Sequence, residues 1–305
     1  MNDDYRHFPV LKDKIIEIIS QEKDKLLNFQ KEVVFIDCTL GLAGHFFSIF
    51  PILEMATFFL IDCDFDSIQI AKSKIYSYFN TSDLSRVYII NHRFGDFLCN
   101  GFNSYRKKFE QTDFLITLAD LGISYYQIKN KKGFSFNINS FLDMRYSGEG
   151  TTVYEILNFF EEKKLIEIID RVLEDLNLSK RICGAIVKAR ERRSLNTTFD
   201  LNQAISKVVS AKSMKDILQK VYLALRIYVN QELEQLSKLL QFFNNYRKDF
   251  LLLIISYHSL EGRMIKGFLK QTGLSFEKYK PTKDEIMINK PSRSAILWVI
   301  KNYPS

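Results

Sequence analysis

Apolar residues in the first part of the chain form short runs that are separated by helical segments. Residues 9–29 place apolar side chains at helical spacing among Lys and Glu, and residues 65–79 also have a helical pattern. Apolar, β-branched and aromatic runs predict six strands, at residues 33–36, 58–61, 87–90, 114–118, 250–256 and 295–300. Such nearly continuous runs are typical of parallel strands buried on both faces. The pattern predicts a doubly wound α/β sheet.

The pattern changes after residue 151. From there to about residue 243 the chain shows helical periodicity and no convincing strand. A segment of roughly a hundred residues is far too long for a simple crossover between two strands. We therefore predict an inserted all-helical subdomain at residues 136–244, with the sheet domain formed by residues 1–135 and 245–305.

Composition and charge exclude several classes of protein. The chain has 305 residues, a formal net charge of +7 and four cysteines. The positive excess suits an anionic partner such as nucleic acid, although many ordinary enzymes are equally basic. Because no Cys-x-x-Cys pair occurs, we expect neither a disulfide framework nor a zinc site. With no signal core at the amino terminus and no apolar stretch long enough for a bilayer, we expect a soluble cytoplasmic protein.

Candidate chemistry lies where the predicted strands end, because open α/β sheets bind ligands at the carboxyl ends of their strands. The turn Gly41-Leu-Ala-Gly44 follows the first strand and precedes an apolar segment. Such a turn brings backbone N–H groups and a helix start close to a ligand, although a plain strand–helix turn has the same pattern. The turn is not a Walker A loop, since no Gly-Lys-Ser/Thr follows.

Acidic residues end the second and fourth strands. Asp62 is suited to accept both hydroxyls of a ribose, as in adenosine-cofactor folds. Its alternative role is a helix N-cap, for which Asp64 or Asp66 would serve as well. Asp120 is placed to touch the cofactor or the substrate, or else caps a turn. His258 lacks a Gly-x-Ser-x-Gly context, so we interpret it as a turn residue.

A basic segment covers residues 180–193, with six basic side chains and one acid. On a helix, Arg181, Lys188 and Arg192 lie within about 40° of one another, next to an apolar stripe. This face is suited to follow an RNA backbone, or it is a solvated surface that balances an acidic helix before it. Tyr125 and Tyr126 are suited to stack on a base, or they are packing residues. The four histidines show no metal-ligand spacing, so we expect no metal.

Several motifs occur together in an order that is typical of one family. They are Asp37-Cys-Thr-Leu-Gly-Leu-Ala-Gly-His45, Leu60-Ile-Asp62-Cys-Asp64, Asp120-Leu-Gly-Ile-Ser124, Gly133-Phe-Ser-Phe136, Leu142-Asp-Met-Arg145, Ala224-Leu-Arg-Ile-Tyr-Val-Asn230, Ser256-Tyr-His-Ser-Leu-Glu261 and Arg293-Ser-Ala295, with His7-Phe-Pro-Val-Leu11 at the start. The sequence resembles the MraW family, the ribosomal RNA small-subunit methyltransferases H. The resemblance covers almost the entire chain.

The resemblance implies a Rossmann-like methyltransferase sheet that uses S-adenosyl-L-methionine, releases S-adenosyl-L-homocysteine and requires no metal. The implied reaction methylates the N4 amine of a cytidine in 16S ribosomal RNA, so 16S rRNA or the small ribosomal subunit is the expected partner. The helical insertion would recognise this substrate. The implied cofactor contacts are Ala43, Gly44, His45, Asp62, Phe94, Asp120 and Gln127. We further expect Asp120 and Ser124 to hold the protons of the reacting amine.

The chain departs from the family pattern at several positions. Ala43 stands where a glycine is usual, and a left-handed backbone there would cost about 1 kcal/mol. Tyr125-Tyr126 replace Ser-Pro before Gln127, and Gly262 replaces an acid. Residues 216–220 replace a His-Pro-Ala-Thr-Arg stretch in the expected substrate region.

Two other classes of function remain open. One is an amine methyltransferase that acts on another RNA or on DNA. The other is a degenerate, non-catalytic protein that only binds the ribosome. Retention of Asp62, Asp120 and Gln127 favours an enzyme.

Overall fold

The computed structural model describes residues 9–28 and 32–303. His7, the first residue of the amino-terminal motif, lies outside these ranges. The chain divides into two compact units: the sheet unit, residues 1–122 with 233–305, and the helical unit, residues 123–232. The boundaries expected from the sequence, after residues 135 and 244, lie later in the chain than these limits.

The sheet unit contains a seven-stranded sheet with the order β3-β2-β1-β4-β5-β7-β6. Strands β1 to β5 form parallel pairs with their neighbours, whereas β7 is antiparallel to both β5 and β6. The predicted α/β class is confirmed. The strands are β1 Val33–Asp37, β2 Thr57–Asp62, β3 Val87–Asn91, β4 Phe114–Asp120, β5 Asp249–Ser256, β6 Ser275–Tyr279 and β7 Ile296–Asn302.

Two features of the sheet differ from the sequence prediction. Strand β6 was not predicted, because most of its residues are exposed and it contains no apolar run. Strand β7 was expected to be parallel like the others. It lies antiparallel to β5, yet its centre is fully buried, so its apolar run looks like that of a parallel strand. An apolar run indicates that a strand is buried on both faces of the sheet. It does not indicate whether the strand is parallel or antiparallel to its neighbour.

Helices lie within residues 9–29 and 65–79, after the Gly41 turn and in the insertion, as predicted. Helix bounds are α1 Lys12–Asn28, α2 Gly44–Ile49, α3 Phe65–Tyr78, α4 Thr81–Leu84, α5 Phe94–Asn100, α6 Arg106–Gln111, α7 Tyr125–Asn130, α8 Val153–Phe159, α9 Glu162–Leu173, α10 Leu176–Arg192, α11 Thr198–Ser206, α12 Ala211–Asn230, α13 Glu232–Asn245, α14 Ser259–Thr272 and α15 Lys283–Ile288. Helices α5, α6, α14 and α15 were not predicted. Short 3₁₀ turns cover Gly101–Tyr105 and Lys290–Ser294. Along the part of the chain that the structure describes, no helix is long and apolar enough to cross a membrane.

Both faces of the sheet are buried in apolar cores. Alternate residues of β1 point to opposite faces, so Phe35 joins one core while Val34 and Ile36 join the other. The second core includes Leu236 and Leu239 of α13. Helix α13 therefore packs on the sheet, although its periodicity alone could not separate it from the helices of the insertion.

The helical unit has its own core. Apolar side chains of α8 to α12 are buried together, among them Leu165, Ile169, Ile182, Ile186 and Leu225. The buried Asn230 fixes the segment before α8, since its side chain donates to Met144 O at 2.8 Å and accepts from Tyr146 N at 2.8 Å. These helices thus form a compact unit with its own core.

The contact between α5 and α13 makes a testable prediction. A Cβ on Gly95 would lie 2.6 Å from the backbone oxygen of Gln235 and 2.9 Å from Lys238 Cβ, so Gly95→Ala requires the backbone to move. We expect a loss of about 1–3 kcal/mol in the free energy of unfolding, measured by urea denaturation. Gly267, in α14, has no atom within 4 Å of a Cβ. There Gly→Ala should instead stabilise the protein by about 0.5–1 kcal/mol. Equal stability of the two variants would contradict this account of the contact.

Candidate active site

The loop after β1 reverses the chain tightly at the carboxyl edge of the sheet. Asp37, the last residue of β1, accepts a hydrogen bond from Thr39 N at 3.1 Å. Gly41 and Ala43 both have left-handed backbones, with φ of 51° and 67°. A Cβ on Gly44 would lie 2.6 Å from Pro9 Cγ, so glycine leaves room for this close approach. The strand–turn–helix predicted from the sequence is therefore present.

Ala43 shows how two small energies offset each other. Its left-handed backbone costs about 1 kcal/mol relative to glycine. Its methyl group is fully buried in the core beside α2. Burial of one such group contributes about 0.8 kcal/mol. The alanine is thus compatible with the loop at little net cost.

Asp62 joins two loops. One of its carboxylate oxygens accepts from Gly41 N at 2.7 Å, and the other accepts from Asp64 N at 2.8 Å. Asp64 is the N-cap of α3 and accepts from the backbone N–H groups of Asp66 and Ser67. The capping alternative that the sequence left open thus belongs to Asp64. Asp62 ends β2 at the same edge as the Gly41 turn and keeps lone pairs for a ligand.

Asp120, the last residue of β4, is held from three sides. Its backbone N–H donates to Thr39 Oγ1 at 2.8 Å, and its side chain accepts from the Tyr257 hydroxyl at 2.7 Å. His45 Nε2 lies 3.7 Å from the other carboxylate oxygen. His45 is buried, and within the part of the chain that the structure describes neither ring nitrogen has a hydrogen-bond partner.

The electrostatics of this edge favour a bound cation. The pKa of Asp37 is raised to about 7, mainly by burial, with His45 lowering it and the nearby carboxylates of Asp62 and Asp120 contributing to the rise. Burial likewise raises the pKa of Asp62 to about 6. The phenol of Tyr257 has a raised pKa because it is buried and faces Asp120. Asp37 is buried and Asp62 and Asp120 are partly buried, so positive charge placed among these three carboxylates is favourable.

Phe94 begins α5, shortly after β3 ends. Its half-buried ring packs against the core on one face of the sheet. The parallel strands β1 to β4 all end at the same edge, so Phe94, Gly44, Asp62 and Asp120 lie along it.

Ser124 and Gln127 are in the helical unit, at the start of α7. Ser124 Oγ accepts from Gln127 N at 3.2 Å, and Gln127 Oε1 accepts from Ser124 N at 3.0 Å. This capping box satisfies two otherwise unpaired N–H groups. Sequence analysis missed the cap, although Ser-x-x-Gln is its signature. Tyr125 is half exposed, with Lys129 Nζ 5.0 Å from its ring centroid, and Tyr126 is partly buried.

The basic side chains of α10 differ in what they contact. Lys188 and Arg192 are exposed. Arg181 is also exposed, but its guanidinium donates to Val208 O at 2.5 Å. Arg190 is different again, since it donates to the carbonyls of Leu157 and Phe160 and so ties α10 to the end of α8. The structure therefore leaves Lys188 and Arg192 as the most accessible cations of the predicted face.

Tyr257 was missed by sequence analysis. Its neighbour His258 attracted attention and is the N-cap of α14, where its side chain accepts from Glu261 N at 3.4 Å. The interpretation of His258 as a turn residue thus agrees with its position. The only sequence signal for Tyr257 is its place directly after β5, the strand that pairs with β4. That adjacency brings its hydroxyl to Asp120.

Comparison with known proteins gives a full-length match. The model of the MraW methylase family matches residues 4–277. The chain belongs to the MraW methylase family. Ribosomal RNA small subunit methyltransferase H of Borreliella afzelii (strain PKo) is 33% identical over 312 residues, 99% of each chain. The protein of that name from Thermotoga neapolitana is 32% identical over 306 residues, 95% of this chain and 94% of its own. Among solved structures, a precorrin-6y C5,15-methyltransferase from Geobacter metallireducens aligns with 100% of this chain and 97% of its own, at 8% identity and a TM-score of 0.37.

Membership of this family implies use of S-adenosylmethionine, and the residues of this chain fit that molecule. Its sulfonium and amino groups are cationic, whereas the carboxylates of Asp37, Asp62 and Asp120 share one edge with raised pKa values at the first two. His45 adds buried ring nitrogens that lack a hydrogen-bond partner among the described residues.

The raised pKa of Asp37 predicts a pH effect on stability. Because the folded state holds the proton up to about pH 7, whereas the unfolded chain loses it near the ordinary value of 3.8, stability falls as pH rises between these values. Asp37→Asn removes this decrease of stability with pH, because asparagine does not ionise. The side-chain oxygen of the asparagine still accepts a hydrogen bond from Thr39 N. We expect the melting temperature of the variant, relative to the unmodified protein, to rise from pH 5 to pH 8 in the absence of cofactor. Exposed Asp13, changed to Asn, controls for the lost charge. A difference that is constant with pH would contradict the assignment.

Proposed function

We propose that this methylase transfers the methyl group of S-adenosylmethionine to the N4 amine of a cytidine in 16S ribosomal RNA. The observation that carries the proposal is Asp120, a carboxylate positioned by Tyr257 and Thr39 at the edge that also holds the Gly41 turn. The proposed RNA substrate is supported by relatives named ribosomal RNA small subunit methyltransferase H, which match almost the whole chain.

Cofactor binding is proposed for residues on both sides of the turn. Asp62 already accepts two backbone N–H groups, and an ionised carboxylate has about four acceptor positions. Two positions therefore remain for the hydroxyls of a ribose. The other proposed contacts are Ala43, Gly44, His45, Phe94, Asp120 and Gln127.

S-adenosylmethionine supplies a methyl group that its sulfonium already activates. The methylase must then orient a weak nucleophile, because the lone pair of the cytosine amine is delocalised into the ring. Asp120 is proposed to accept a hydrogen bond from the amine and to take up the proton that it releases. Tyr257 positions this carboxylate. Ser124 keeps a lone pair beyond the one that Gln127 N occupies, and is proposed as a second acceptor. Orientation of this kind supplies up to about 7–11 kcal/mol.

Recognition of the RNA is proposed for the helical insertion, predicted at residues 136–244, and for nearby aromatic rings. Arg181, Lys188 and Arg192 would contact phosphates. Tyr125 and Tyr126 would stack on bases, and the half-exposed ring of Tyr125 suits this role. The target cytidine has to be turned out of its helix to reach a buried carboxylate. The proposed partner is 16S rRNA or the small subunit, in the cytoplasm.

The first test compares small-subunit ribosomal RNA from the source organism with the gene intact and deleted, by mass spectrometry. Deletion should remove one N4-methylcytidine, and the unmodified gene should restore it. Asp120→Ala should not, because turnover of the purified variant falls by at least about a hundredfold at saturating cofactor. Tyr257→Phe, which removes only the hydroxyl that holds Asp120, should retain part of the activity. An unchanged modification profile after deletion would refute the proposed substrate.

A second test concerns the basic face of α10. The double change Lys188→Ala and Arg192→Ala should reduce the slope of log affinity against log salt for single-stranded RNA by about 1.4, because each phosphate contact contributes about 0.7. Lys212 and Lys215, exposed on α12, provide the matched double variant with the same loss of charge. Filter binding over a range of salt concentrations measures both. Equal slopes for the two variants would show that α10 is an ordinary solvated surface.

A further inference from the structure

A cavity lies within the sheet unit, at the start of α14 and beside β6 and β7. Its volume is about 300 Å³, at the lower end of the range for ligand sites. Three cationic side chains line it, Arg263, Lys266 and Lys278. Among the residues that the structure describes, its lining contains no carboxylate. The cavity therefore has the charge of an anion site, in contrast to the acidic edge where Asp120 lies.

The floor of the cavity is aromatic. Trp298 is 1% exposed, and its indole N–H donates to Ser256 Oγ at 2.9 Å, which fixes the ring. Lys278 Nζ lies 5.2 Å from the centroid of that ring. Ile296 adds an aliphatic surface. An apolar floor under a cationic rim matches the two halves of a nucleotide, a flat base or sugar and a phosphate.

The start of α14 strengthens the attraction for a phosphate. Helix α14 has 14 residues and begins at Ser259, which lines the cavity together with Ser294. Glu261 Oε2 already accepts from the backbone N–H groups of Tyr257 and His258, and His258 Nδ1 accepts from Glu261 N, so this helix start contributes to the cavity through its hydroxyl group. The two hydroxyls are additional donors. These groups converge with the three cations on one space.

Gly262 keeps this space open. A Cβ on Gly262 would lie 3.8 Å from Trp298 Cζ2, an ordinary contact, and its backbone is not left-handed. A side chain would therefore fit, and an acidic one would enter the cavity beside Arg263, Lys266 and Lys278. Glycine at this position, one of the departures from the family pattern, preserves both the volume and the positive charge.

We propose that this cavity binds one nucleotide of the RNA substrate, with its phosphate on Arg263, Lys266 and Lys278 and its base or ribose over Ile296, next to the buried Trp298. The proposal rests on the proposed function, since it assigns the site to the same RNA. Tyr257 lines the cavity and also donates to Asp120. The bound nucleotide therefore lies close to the reacting cytidine in the chain of the RNA.

The chain provides its own reporter for this site. Trp298 is the only tryptophan in 305 residues, so the tryptophan emission of the full-length protein comes from the cavity floor. A short single-stranded RNA should change this emission in a saturable way. Gly262→Asp should weaken the binding about tenfold, because it places a carboxylate beside the phosphate. Gly262→Asn, of equal size and without charge, should weaken the binding less than Gly262→Asp does, because the two variants fill the same space and differ only in charge. Equal melting temperatures would show that both variants fold.

Other outcomes overturn the proposal. RNA affinity that is unchanged in Gly262→Asp, or RNA binding that leaves Trp298 emission unaltered, excludes a nucleotide in the cavity. Cytidine monophosphate or inorganic phosphate that competes with RNA at equal concentration indicates a site for free nucleotides or anions instead.

Methylation assays separate this inference from the proposed function. The KM for RNA should rise in Gly262→Asp while kcat and cofactor affinity stay unchanged. If that KM is unchanged while Asp120→Ala is inactive, the cavity proposal fails and the proposed function stands. If RNA changes Trp298 emission but deletion of the gene leaves the mass of the rRNA unchanged, the proposed function fails and the nucleotide site stands.

Discussion

The carboxylate of Asp62 is the contact on which the candidate active site depends. It accepts from the backbone of Gly41 and from that of Asp64, so one side chain fixes the turn after β1 and the start of α3. Holding a carboxylate out of water is unfavourable, and the raised pKa of Asp62 records that cost. Two well-placed N–H donors stabilise the charged form and so offset part of this cost. The same arrangement leaves a negative edge that suits a cationic cofactor.

Two opposite electrostatic environments coexist in the sheet unit. The ends of β1, β2 and β4 gather aspartates, whereas the cavity beside α14 gathers arginine and lysine. A methyltransferase that acts on RNA needs both, because its donor is a cation and its acceptor is a polyanion. Tyr257 belongs to both environments, since it lines the basic cavity and donates to Asp120.

The sequence predicts the parallel half of the sheet well, because its strands are apolar runs, and three of them, β1, β2 and β4, end in aspartate. It does not reveal β6, whose exposed residues contain no such run, or the direction of β7. Asp62 was identified from its place at a strand end. The sequence analysis also considered a left-handed backbone at Ala43, and the structure has one there. Tyr257 and the basic cavity were missed. Their partners come from distant segments, and only the strand order β4-β5-β7-β6 brings them together.

The pairing of β4 with β5 also constrains how the chain is made. These neighbours in the sheet are separated in sequence by the whole helical unit. During synthesis, β1 to β4 leave the ribosome with one edge of β4 unpaired, and a compact helical unit with its own core emerges before β5 does. The long loop that β5 has to close adds to the entropic barrier of folding. An insertion that folds early brings its own two ends closer together, so β5 has a shorter distance to close to reach β4. The apolar edge of β4 is then open to aggregation for less time.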